Sequence, residues 1–337
     1  MSGSQLWLLC TAVLVTVQAA PANLAINVLS SGAWSLSLAG TPWFASPATA
    51  PSICVSGAQT ALSLTSTTSA SGTDTFGPWT GTALTWTAPS NPSAIVVHTF
   101  QVYTTQSSIV VMTASFPRGL DTNGCPGGPK GISIPFPAIN TTAARAPSLG
   151  FLQWRDEALK TSATSLGLAS LGANALDAGP IVSYEMSGPV PSRASISWSS
   201  LTAHKILPHV TTASTHTYAQ GLSAAIPSVP ANWNYSVVFV GTTGGPTSAT
   251  YAHGALLQSY YQTRRLPSVT LDKVGYYTDD GAYYYVWEAF GIAARPWPAE
   301  KGLIEVVNNL TMSGVPVSYL QLDDWWYTGE SMQAQRP

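Results

Sequence analysis

Between Met1 and Arg118 the sequence holds a single charged side chain, Asp74. A fold built from such a segment cannot wet its surface with carboxylates and ammonium groups, so hydroxyls must do it. The runs LAINVLS, AWSLSLAG, ALSLTSTT, ALTWTA, AIVVHTFQVYTT and SSIVVMTASF answer that requirement. In each, β-branched, aromatic or aliphatic residues alternate with Ser and Thr, which predicts a strand with one buried and one wetted face. The clusters SASGTDTFGP and APSNPSA predict turns between strands. Many short strands with recurring turns argue for a sandwich. Hydroxyl faces solvate a sheet but protect its edges poorly, because charge is the usual guard against edge pairing.

The rest of the chain is built differently. Only 8% of the 337 residues are charged, and nine of the 15 acidic ones lie from Asp272 onward. A chain of this length normally holds two domains, and the placement of charge says that the two differ in kind. Hydrophobic residues at 45% exclude an intrinsically disordered chain. A net charge of −2 with no basic block argues against a nucleic-acid partner.

The leader MSGSQLWLLCTAVLVTVQAA reads as a signal peptide, residues 1–19, cleaved after Ala19. Its apolar stretch from Leu6 to Val17 is too short to span a bilayer, and no later run is long enough. A secreted product without a membrane anchor is expected. Its two remaining cysteines, Cys54 and Cys125, either form one disulfide or stay as buried thiols. Sequons at Asn140, Asn234 and Asn309 are candidate glycosylation sites, whereas Pro92 disqualifies Asn91.

Residues 116–265 continue the β style through IVSYEMSG, ASISWSSL and YSVVFVGTT, with a helix expected around Leu166–Leu176. After them LDKVGYYT predicts a strand, Pro298–Ser313 a helix with Leu303, Ile304, Val307 and Leu310 on its apolar stripe, and VSYLQL a second strand. Strand, helix and strand with short joints make a βαβ unit with parallel strands. Acidic clusters then follow both strands, at the edge where α/β proteins bind ligands. Asp279, Asp280, Asp323 and Asp324 stand among Tyr277, Trp325, Trp326 and other aromatics. Carboxylates accept sugar hydroxyls and aromatic rings cover the C–H faces, so carbohydrate is the expected partner. A wet loop over an aromatic core is the plainer alternative. The histidines show no metal-ligand spacing, GCPGGPKG lacks the Lys-Ser/Thr end of a phosphate loop, and no cofactor or metal is expected.

Two segments carry a family resemblance. Gly275-Tyr276-Tyr277-Thr278-Asp279-Asp280 and Leu322-Asp323-Asp324-Trp325-Trp326 resemble the first- and second-strand motifs of the α-galactosidase and raffinose synthase group of retaining glycoside hydrolases. Tyr277 stands where that group carries Trp. GTDTFGPWTGTALTW and FPRG are similar to the group's β domain. The resemblance implies a mainly β chain: an N-terminal β-supersandwich, residues 20–265, followed by the first βαβ unit of an incomplete (β/α)₈ TIM barrel, residues 266–337. It implies that Asp323 and Asp324 grip sugar hydroxyls, with nucleophile and acid/base after strands four and six. A barrel takes about 250 residues, and 66 run from Asp272 to the end. No residue of this chain is therefore assigned a catalytic role. The expectation is a secreted glycoside-hydrolase-like protein, truncated and catalytically incomplete, that acts on or binds α-linked sugars. The rival expectation is a secreted carbohydrate-binding or wall-associated β-sandwich without enzymatic activity.

Overall fold

The computed structural model describes residues 22–128, 131–155, 158–162, 180–189, 193–277 and 299–321. The leader and the expected helix around Leu166–Leu176 lie outside them. The chain divides into two compact units, Met1–Thr263 and Arg264–Pro337.

A nine-stranded sheet organises the first unit. Its strands run in the order Ala158–Ser162, Leu149–Arg155, Ile181–Glu185, Ser195–Ser200, Trp233–Thr242, Ile109–Phe116, Asn91–Tyr103, Gly77–Ala88 and Ser63–Asp74. Every neighbour is antiparallel. Both turn clusters shrink on inspection. Asp74 pairs with Gly77, leaving Thr75-Phe76 as the turn, and Ala88 pairs with Asn91, leaving Pro89-Ser90. Ser, Thr and Gly that read as loop are strand because the partner strand covers them. A Cβ on Gly72, for example, would come within 2.8 Å of the Trp79 ring opposite. Asp74 itself ties the hairpin tip, accepting the Phe76 N–H at 2.8 Å and the Tyr103 hydroxyl at 2.7 Å.

Central strands of this sheet are buried on both faces, whereas Gly77–Ala88 alternates and the edge strand Ser63–Asp74 stays largely exposed; alternation sends successive side chains to opposite faces. Val237 and Phe239 enter one core, whereas Val238 and Val240 enter another. The larger core joins the sheet to two three-stranded sheets: Leu24–Val28, Trp34–Leu38 and Thr41–Ala45, then Ile132–Asn140, Thr217–Ser223 and His209–Thr212. The opposite face carries the helix Gly245–Tyr261, packed on Ile181–Glu185, Ser195–Ser200 and Trp233–Thr242. Cys54 and Cys125 form a buried disulfide with Cα atoms 5.9 Å apart. Closing a loop of 71 residues removes unfolded-chain entropy worth about 4 kcal/mol.

That helix is absent from the sequence reading. Its buried stripe is Gly245, Ser248, Ala249, His253 and Leu256, helical in spacing but mostly small or polar. A search for apolar periodicity passes over it, although Pro246 in the first turn after Gly244-Gly245 is a usable start signal. His253 anchors the helix to the sheet. Its Nδ1 lies 3.1 Å from Ser197 Oγ and its Nε2 lies 2.8 Å from Ser199 Oγ.

In the second unit the short helix Val269–Asp272 precedes the strand Val274–Tyr277, the helix Ala299–Met312 and the strand Val317–Gln321. The two strands are parallel, as the βαβ pattern requires. The helical stripe needs correction at one position. Val306 is buried at 4% exposure while Ile304 is 51% exposed. Leu303, Val306, Val307 and Leu310 give the i, i+3, i+4, i+7 face, and Ile304 falls on its flank. No helix among the described residues is long and apolar enough to cross a membrane.

Burial holds His253 down to about 4 and His98, inside the larger core, down to about 3. Both imidazoles are neutral in the fold, whereas an unfolded one titrates near 6.5. Below that pH the unfolded chain binds more protons, so this stability is complete above about 6.5 and drains as pH falls toward 4. His253 alone accounts for on the order of 3 kcal/mol across that window. Thermal melts taken through it should show the decline, flattened in His253→Gln; a melting temperature indifferent to pH there contradicts the account.

Candidate functional site

The second unit brings together as a parallel pair the strands next to which the candidate residues stand in the sequence. Val274 is in register with Val317, Gly275 with Tyr319 and Tyr277 with Gln321. Both strands therefore deliver their carboxyl ends to one edge. Tyr277, the last described residue of the first motif, sits there 41% exposed. Asp279, Asp280, Asp323, Asp324, Trp325 and Trp326 lie outside the described residues. In sequence, Asp279 and Asp323 each follow two positions beyond the in-register pair Tyr277 and Gln321.

Local interactions explain the start of the first motif. Arg265 binds the Asp272 carboxylate at 2.7 Å and the Leu271 carbonyl at 2.6 Å. The other oxygen of Asp272 accepts the Ser268 N–H at 3.1 Å. This exposed clasp turns the chain into the strand that begins at Val274. Gly275 is then a close-approach position, because a Cβ there would lie 2.1 Å from the Tyr319 ring. The Tyr319 hydroxyl donates to the Thr270 carbonyl at 3.4 Å. The motif's glycine is thus explained by what it must let past.

The remaining candidates are dispersed. Asn140 ends a strand, and its Oδ1 accepts the Thr142 N–H at 2.9 Å and the Thr142 hydroxyl at 2.8 Å. Asn234 lies exposed on the strand Trp233–Thr242, and Asn309 lies exposed on the helix Ala299–Met312. The histidines serve packing: His209 contacts Gln153 at 2.6 Å, and His204 bridges Ser200 and Tyr261. No group of three or more His, Cys, Asp or Glu among the described residues could hold a metal ion.

No protein-family model matches the chain, and no curated protein matches it. Solved structures similar to it include several glycosidases. One is the α-N-acetylgalactosaminidase NagBb from Bifidobacterium bifidum, at 13% identity and TM-score 0.48, over 91% of this chain and 51% of that one. Another is the α-galactosidase AgaA from Geobacillus stearothermophilus in complex with 1-deoxygalactonojirimycin, at 9% identity and TM-score 0.37, over 90% and 42%. A β-arabinopyranosidase matches at 9% identity and TM-score 0.42, over 66% and 39%. The chain spans about half or less of the length of each.

Gly275→Ala should disturb the parallel pair, since overpacking a tight site costs about 1–3 kcal/mol. Hydrogen exchange should then accelerate over Val274–Tyr277 and Val317–Gln321 and stay unchanged in Trp233–Thr242. Exchange in the parallel pair identical to that of the parent chain would show that Tyr319 has room to yield.

Proposed function

We propose that the chain is a glycoside-hydrolase-like protein whose second unit binds α-linked sugars at the carboxyl ends of its parallel strands. One observation carries the reading. Of two motifs that resemble those of α-galactosidases, the first begins on one parallel strand and the second follows its partner strand directly in sequence, so that their carboxylate pairs come at equal sequence distances beyond residues in register. That placement supports a shared site in which Asp279, Asp280, Asp323 and Asp324 accept hydroxyls while Tyr277, Trp325 and Trp326 cover a sugar face. A retaining mechanism needs a nucleophile and an acid/base about 5–5.5 Å apart. The resemblance places neither on a residue of this chain, so the role assigned here is recognition.

A basic iminosugar separates this site from a merely polar surface, because its cation pairs with carboxylates. Calorimetric titration with 1-deoxygalactonojirimycin at neutral pH should give saturable binding that weakens at least about tenfold in Asp323→Asn. An aryl α-galactoside should not be turned over. Equal affinity in the Asp323→Asn/Asp324→Asn double variant removes the proposal, and turnover abolished by the same change would demand a catalytic role for these residues.

Export is part of the same proposal. The leader supports it, and so does the buried Cys54–Cys125 disulfide, a bond that persists in oxidising compartments. Protein recovered from its host should begin near Ala20 and carry glycan on Asn140 or Asn234. An uncleaved, unglycosylated cytosolic product with free thiols would place it elsewhere.

A further inference from the structure

The first unit contains a cleft of about 810 Å³ that the strand-end reading does not use. All its lining residues lie between Ser31 and Ala219, far in sequence from either motif. Its floor is made of buried rings: Trp34, Trp86, Phe100, Phe136 and His98. Its rim carries hydroxyls and an amide, from Ser31, Ser46, Thr49, Gln59 and Thr215. No described residue lining it is charged.

One buried polar atom in that floor is unsatisfied. The Trp86 indole N–H, in a side chain 4% exposed, donates to nothing among the described residues. Beside it on the floor His98 is 4% exposed and stacks on Phe136 with centroids 3.7 Å apart and planes 11° from parallel. A buried polar group left unpaired costs about 1–3 kcal/mol. Such an N–H on the wall of a cleft, with a neutral imidazole next to it, is the mark of a surface completed by something else.

The chemistry of that occupant follows from the lining. An ionic ligand would enter an uncharged, ring-floored cleft without a counter-charge and lose its hydration. A purely aliphatic ligand would leave the indole N–H unsatisfied. A molecule with flat C–H faces, neutral and bearing hydroxyls that both donate and accept, matches rings, imidazole, indole and rim together. The volume falls in the range of small-molecule sites, about 300–1,000 Å³. We propose that this cleft is a second glycan-binding site, specific for neutral saccharides and independent of the strand ends of the second unit.

The full chain, labelled with ¹⁵N in its tryptophan indoles, tests this with raffinose as the neutral probe and galacturonate as the charged one. The Trp86 resonance is assigned by its loss in Trp86→Phe. Raffinose should shift it saturably, and galacturonate should not. His98→Phe keeps the stack but removes both nitrogens, and Thr215→Trp closes the mouth from an exposed rim position without touching the floor. Each should weaken the response at least about tenfold, while Asp323→Asn leaves it intact. A Trp86 resonance unmoved by raffinose in the folded chain overturns the proposal. So does a response that survives Thr215→Trp and disappears in Asp323→Asn, which would assign the binding to the strand ends and leave that reading standing. Displacement of the response by decanoate instead of by galactose would identify a lipid cleft and equally overturn it.

Discussion

Trp198 is the contact on which the first unit depends. It projects from the middle of the nine-stranded sheet and is fully buried. It stacks on Phe239 of the neighbouring strand at 5.9 Å. Its edge contacts reach Phe44 in one covering sheet at 5.4 Å and Tyr218 in the other at 5.8 Å. The indole N–H donates to the Tyr218 hydroxyl at 3.0 Å, so the polar end of the ring is satisfied where it is most deeply buried. Tyr235 makes a second tie, its hydroxyl reaching the carbonyls of Ile134 and Phe136 at 3.1 and 3.0 Å. Three sheets therefore meet through aromatic side chains whose hydrogen bonds fix how the layers sit. Aromatic pairs add roughly 0.5–1.5 kcal/mol beyond area burial, and here they also set register between layers.

The strands were legible because alternation survives in almost any context. Leu84, Trp86 and Ala88 are buried while Thr85 and Thr87 between them are less so, which is the sequence pattern read directly. Two features were not legible, for different physical reasons. The helix Gly245–Tyr261 docks with a stripe of small residues, so closeness of approach replaces apolar bulk and leaves little hydrophobic signal. The hairpin through Asp74 and Gly77 hides in composition, because Ser, Thr and Gly serve a strand wherever a ring such as Trp79 covers them. In the second unit the strand–helix–strand order was legible, but the helix faces its neighbours through Val306 instead of Ile304.

Of the proposed strand-end site, the sequence supplies the pattern of adjacent carboxylates among aromatics, and all of those residues but Tyr276, Tyr277 and Tyr319 lie outside the described ones. The parallel register adds that Tyr277 and Gln321 are partners, which no one-dimensional pattern could give. Gly275 shows how the two levels join. As a letter in a motif it has no stated reason, and beside the Tyr319 ring it has a steric one. The cleft of the first unit left no sequence mark at all. His98 and Trp86 come from neighbouring strands, but Phe136, Gln59 and Thr215 arrive from three other segments, and only the packed sheets bring them together.

The poverty of charge that shapes the surface also shapes the interior. In most domains a buried histidine can find a carboxylate that steadies its protonated form. Here His98 stacks on Phe136, and His253 is held between Ser197 and Ser199, and among the described residues no acid acts on either ring. Desolvation therefore acts unopposed on both rings, and both stay neutral. A neutral imidazole keeps one donor and one acceptor. At His253 two serine hydroxyls use that pair, which makes the ring a structural clasp. At His98 the ring instead stacks on Phe136 and lines a cleft. The same residue type, under the same electrostatic constraint, is thus a clasp inside the fold in one place and part of a cleft wall in the other.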